Sequence, residues 1–339
     1  MRPLLLSFLL AGGALAQTWV SQQSSTTASL RGVSAVNPRV VWASGSGGTW
    51  LRTTDGGATW ETGKVAGAER LDFRGIRAFD AQTAFLVSIG TGESSRIYQT
   101  TDGGRSWKLL LTNPDAAGFF DAIAFWDSKR GIVLGDPVDG HLTIVTTEDG
   151  GAHWTKQTTP PAQPGEGTFA ASNSCLIVRG KREAWVASGG GPATATGSRI
   201  YHSVDGGRTW TVTTTPVHNQ TASTGLFSLA FADSRHGIAV GGDYAHDHDD
   251  SSNITVTADG GKTWTGPSER PKGFRSAVVY VPDHKLWILT GTSGSDISYD
   301  GGRTWKNFDT GSFNALGFVS GAAGWAVGGR GRIAKFRLP

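Results

Sequence analysis

Apolar residues along the chain fall in short runs bounded by glycine, serine and aspartate, and no segment sustains the three-and-four spacing of an amphipathic helix. Runs such as IVLG (132–135), IAVGG (238–242) and WAVGG (325–329) end in small residues and lead into a Gly/Ser-rich loop. A further strand follows each loop, enters an Asp-Gly-Gly turn and leaves it as Thr-Trp or a close variant. Four short strands per unit, with turn chemistry between them, predict the blade of a β-propeller.

The turn recurs as TTDGGATW (53–60), TTDGGRSW (100–107), TEDGGAHW (147–154), SVDGGRTW (203–210), TADGGKTW (257–264) and SYDGGRTW (298–305). Its aspartates are Asp55, Asp102, Asp149, Asp205, Asp259 and Asp300, spaced by 47, 47, 56, 54 and 41 residues. Such a period is the mark of a repeat architecture. Six turns suggest six blades, but the ends of the chain argue for a seventh. Residues 313–336 hold three strands of a further unit, and QTWVSQ (17–22) carries a Thr-Trp pair with no turn before it. The expectation is an all-β, seven-bladed propeller of four-stranded antiparallel blades over 17–339, about 46 residues each, with Thr18–Ser21 completing the last blade against 331–336. Closure of this kind removes the exposed strand edges of an open array.

Each DGG aspartate sits in a tight turn whose glycines reach positive φ without steric cost. Its carboxylate can accept backbone N–H groups and fix the corner. The following Trp is large enough to wedge between blades. Six copies at six angles cannot converge on one substrate, so these residues are read as structural. The motif S/T-x-D-G-G-x-T-W resembles the Asp-box, or bacterial neuraminidase repeat, of sialidases and related propellers. The regular boxes, the lack of inserted domains and the blade length are similar to the photosystem II stability/assembly factor family and its bacterial relatives. That resemblance implies a propeller that docks a protein client through an arginine patch. A sialidase is disfavoured, because the Arg-Ile-Pro signature is missing and seven blades exceed the usual six. Xyloglucan-degrading relatives place their cleft between two propellers, and this chain has length for one.

Residues 1–16 combine a basic residue, an apolar stretch and Ala14-Leu15-Ala16, which reads as a cleavable secretory signal too short for a permanent membrane span. The protein is therefore expected in a bacterial periplasm or outside the cell, as a monomer. Cys175 is the one cysteine, so no internal disulfide can form. A formal charge of +3 is too small to imply nucleic acid as a partner.

Loops between the second and third strands, and between one blade and the next, share the face opposite the DGG turns, and binding is expected there. Arg31 and Arg74 match in RGVSAV and RGIRAF, with Arg275 close to that register. Arg96, Arg199 and Arg332 match at the start of third strands, and Arg330 stands beside the last. These seven are the candidate partner-binding residues, since the planar guanidinium suits carboxylate recognition. Glu93, Asp121, Asp136 and Asp243 are candidates for an acidic pocket at the channel mouth, where a close carboxylate pair would suit glycoside hydrolysis. In GGDYAHDHDDSSN (241–253), His246, His248 and Asp247 are candidate metal ligands.

No nucleophile elbow, P-loop or paired cysteine motif is present, so no catalytic residue is assigned and no cofactor is expected. The reading is an exported, non-enzymatic scaffold that binds a protein client, with a glycan-binding or glycoside-hydrolase-like propeller as the alternative.

Overall fold

The computed structural model describes residues 17–192 and 194–338, so the secretory signal expected over residues 1–16 lies outside the described residues. Seven antiparallel sheets surround one axis. The inner strands of blades one to seven are Leu30–Ala35, Asp72–Ala78, Phe120–Phe125, Leu176–Arg179, Thr224–Phe231, Ala277–Val281 and Ala315–Ser320. The seventh blade is closed as expected. Thr18–Gln22 pairs antiparallel with Ile333–Arg337, each strand running one residue past its expected C-terminal limit and the partner beginning at 333 where 331 was expected.

Trp19 explains why these first residues hold. It does for blade seven what the box tryptophan does elsewhere, packing with Phe313 and Phe336 and against Val281, Ile288 and Ile297 of blade six. Its indole Nε1 donates to Ser295 Oγ of that blade at 3.1 Å. Trp60 likewise lies among Leu30 and Val41 of its own blade and Trp325, Val327 and Ile333 of blade seven. Burying one such ring stabilises the interface by roughly 1.5–3 kcal/mol.

The DGG turns are built alike. In the first, Thr53 Oγ1 donates to Asp55 Oδ1 at 2.7 Å, the Thr59 amide donates to the same oxygen at 2.9 Å, and Thr59 Oγ1 donates to Oδ2 at 2.6 Å. Gly56 and Gly57 hold φ of 76° and 87°, which a side chain would strain. The same set recurs at Asp102, Asp149, Asp205, Asp259 and Asp300, with the His153 ring replacing the hydroxyl at Asp149. These carboxylates are consumed by their own corners.

Blade five departs from the four-strand rule. Its inner strand carries an added edge from Gly189–Gly190 and Glu166–Gly167, while its outermost strand shrinks to a bridge between Val256 and Thr265. The added residues frame a longer connection that sets the floor of the candidate site.

Candidate functional site

The inner strands of four blades bulge at the same place. Arg31, Arg74, Asp121 and Phe227 are each the extra residue of a register shift against the second strand of their blade. A bulge re-aims its side chain and tightens the local twist. All four turn into one recess of about 510 Å³ on the axis, at the end opposite the DGG turns. Asp136 joins them from a second bulge, where Gly135–Pro137 of blade three slips against the third strand.

The recess is a mouth without a throat. Residues 168–174 cross the axis beneath it and bond to blades on both sides. Asn173 Oδ1 accepts the Ile123 amide at 2.8 Å and its Nδ2 donates to Ile123 O at 3.1 Å, on the blade-three side. Ser172 Oγ donates to Ser276 O of blade six at 2.7 Å, and the Leu229 amide of blade five donates to Ser174 O at 3.0 Å. A segment tied to opposed blades fills the axial space, so a ligand can meet the mouth from one face only.

Three chemistries share the rim. Arg74 donates to Asp72 at 2.9 Å and to Ala170 O at 3.2 Å. Arg31 has no hydrogen-bond partner among the described residues; burial, then the neighbouring charge of Arg74, lowers its pKa, with Asp72 opposing. Opposite stands an aromatic wall. Phe169 stacks on Phe227 with centroids 3.8 Å apart, and Tyr244, 53% exposed, meets both rings edge-on. Phe274 completes the wall at 4.7 Å from Phe227.

The third part is acidic. Thr168 joins two carboxylates, its hydroxyl donating to Asp121 Oδ2 at 2.6 Å and its amide to Asp136 Oδ1 at 2.8 Å. Asp121 is fully buried and its Oδ1 has no donor, although the Ala170 amide lies near the carboxylate. Burial, then the Asp136 charge, push the Asp121 pKa well up; burial also raises that of Asp136, against the pull of its Thr168 hydrogen bonds. Of the four acidic candidates, the fold brings these two together. Glu93 is exposed beside the third strand of blade two, and Asp243 receives the His246 ring at 2.8 Å, outside the recess.

Arg275 corrects the register. Ser276, not Arg275, lines the mouth from blade six, and the preceding side chain turns into the blade. There Arg275 is completely buried, with Nε donating to Asp296 Oδ2 at 2.6 Å and Nη1 to Ser293 Oγ at 2.7 Å. It is therefore a structural ion pair and not a contact for a partner. Arg199 is also engaged: Glu166, from the long connection, takes its guanidinium, and Tyr201 Oη accepts from Nη2 at 2.6 Å. Arg96 donates to Glu93 O at 2.6 Å, away from the axis. Arg330 and Arg332 stand at a separate groove beside the closing strand, Arg332 with its guanidinium over the Phe313 ring. Of the seven arginines, two reach the mouth.

The histidine-rich loop is a series of turns, so His246 and His248 do not share a strand face. His246 pairs with Asp243, while His248 is 91% exposed with its nearest carboxylate, Asp247, at 3.8 Å. Among the described residues, no three His, Cys, Asp or Glu side chains gather in a metal-holding group.

Sequence reasoning missed the aromatic wall and Thr168. Yet Asn37, Asp80, Asp127 and Asp233 each accept the amides that fix an inner-strand turn, and six residues before them lie Arg31, Arg74, Asp121 and Phe227. Counting back from those turns would have found Phe227.

The chain matches no protein-family model and no curated protein sequence. Its fold is similar to that of YCF48 bound to a D1 peptide, at 21% identity and a TM-score of 0.66, with 95% of this chain and 97% of that one covered. It is similar to YCF48 from Cyanidioschyzon merolae at 19% identity and a TM-score of 0.66, over 94% and 98% of the two chains. The WD40 β-propeller domain of Doa1 matches at 12% identity and 0.63, over 95% and 98%. At these identities the likeness is one of fold: a β-propeller spanning nearly the whole chain.

Proposed function

We propose that the protein is an exported, non-enzymatic, assembly-factor-like propeller that seats a segment of a protein client in its axial mouth. The observation that carries this reading is the pairing of an unengaged guanidinium, Arg31, with an aromatic wall in a recess closed from below. A carboxylate on the client would meet Arg31 and Arg74, and an apolar side chain would lie on Phe169, Phe227 and Tyr244. Aromatic and arginine anchors in a water-poor pocket supply most of the energy of such contacts. The peptide bound by the similarly folded YCF48 supports a peptide-sized occupant.

A glycan-hydrolysing reading has less support. Of the two carboxylates that the mouth gathers, Asp121 is fully buried and hydrogen-bonded to Thr168, which leaves Asp136 without a second solvent-exposed carboxylate. The test is capture of an envelope client by the tagged chain, with the client identified and its affinity measured. Arg31→Glu should weaken that affinity at least tenfold at unchanged thermal stability. Unchanged affinity would remove the mouth from the reading.

A further inference from the structure

Thr168 holds Asp121 and Asp136 together where no cation pairs directly with either carboxylate, Arg74 acting on Asp121 only through its field. Their pKa values stand above the aspartate range because burial, and for Asp121 the second carboxylate, work against ionisation. The nearest guanidinium, Arg74, is already shared between Asp72 and Ala170 O. Asp121 Oδ1 is buried and makes no hydrogen bond, with the Ala170 amide nearby, so the acid pair is left short of donors. Phe169 follows Thr168 directly, and its ring begins the wall formed with Phe227 and Tyr244. A short alkyl stem fits such a wall, and the positive end of that stem would complete the acids.

We propose that the blade-three side of the mouth is a subsite for a primary ammonium on an apolar stem, with Asp136 as the contact, Asp121 as the buried carboxyl behind it and Phe169 and Tyr244 flanking the stem. The proposal rests on the mouth being the binding site and deepens that reading. The group comes from a lysine side chain or from the N-terminus of a chain with an apolar first residue. With Arg31 and Arg74 on the neighbouring blades, the mouth is dipolar. It selects a segment carrying both signs of charge over one that is only acidic.

The subsite is tested without the client, using ligand-observed NMR titration of the purified chain at pH 7.5. n-Butylamine and Nα-acetyl-lysine amide should bind saturably, and their neutral counterparts, 1-butanol and Nα-acetyl-norleucine amide, at least tenfold more weakly. Leucine amide probes the chain-terminal source: binding tighter than Nα-acetyl-lysine amide assigns the site to an N-terminus, and weaker binding assigns it to a lysine. Asp136→Asn should erase the preference for charge. Tyr244→Ala, at an exposed position, should weaken the amines several-fold. Arg31→Glu should leave amine binding no weaker while it weakens client affinity at least tenfold, which separates failure of this subsite from failure of the client reading. Equal binding of charged and neutral probes, no saturable amine binding, or an Asp136→Asn variant that folds and keeps the preference would overturn the proposal.

Discussion

Arg275 Nε donates to Asp296 Oδ2 at 2.6 Å, and both side chains are shut away from solvent. The pair links the connection before the inner strand of blade six to its third strand, a part of the blade that sequence register alone had turned toward a partner. Removing one partner leaves a buried charge uncompensated, at a cost of about 3–5 kcal/mol. Arg275→Ala should therefore lower stability by that amount in chemical denaturation, with client affinity changing only as folding does. The double variant Arg275→Met with Asp296→Leu should recover most of the loss. A single variant as stable as wild type would show the pair to be idle.

Closure rests on Trp19. Truncating a buried Trp to Ala costs about 3–5 kcal/mol, and here it removes the contacts with Phe313 and Phe336 that hold the first strand on blade seven. Trp19→Ala should lower the denaturation midpoint. Deleting residues 17–22 should expose the edge of Ile333–Arg337 and promote association, visible by light scattering. A deletion variant that stays monomeric and equally stable would show the ring closed by other means.

Two kinds of aspartate give stability opposite slopes with pH. Accepted hydroxyl and amide hydrogen bonds lower the pKa of Asp102 and Asp259 to about 2, beneath an unfolded value of about 3.9. Their stabilisation is present above pH 4 and lost as pH falls through 2, so the urea midpoint should drop between those values. Asp121 is raised instead, so its proton stabilises the fold at low pH and that help is lost as pH rises through the folded value. Asp121→Asn should raise the midpoint at pH 7 to 8 and change it little at pH 4. A variant less stable at pH 8 would place the carboxylate's charge among the groups the fold needs.

Cys175 offers a probe of the floor. It is fully buried, and burial followed by the Asp121 charge raises its thiol pKa well above the usual range. Only the thiolate reacts, so a disulfide reagent at pH 8 should label it no faster than the chain unfolds. Labelling within minutes, with tryptophan fluorescence intact, would show residues 168–175 opening by themselves.

The blades were legible because each is local: one box fixes a turn, places a Trp and repeats, and short-range chemistry repeats with it. Closure was legible for the same reason, since Thr18-Trp19 is the missing end of a unit. Arg31 and Arg74 could be paired because their strands read alike. Arg275 was misplaced because the inner strand of blade six pairs without the bulge that aims Arg31 and Arg74, and along an extended backbone a shift of one residue reverses the side chain. Sequence alone determined the number of blades and the turns in which the six DGG aspartates accept their hydrogen bonds. Only the tertiary structure decided which charges are spent within the fold, that residues 168–174 floor the mouth, and that Asp121, Asp136, Arg31 and the Phe169–Phe227 wall meet there. These residues come from different blades, and what brings them together is the curvature of the closed ring, a property of no single repeat.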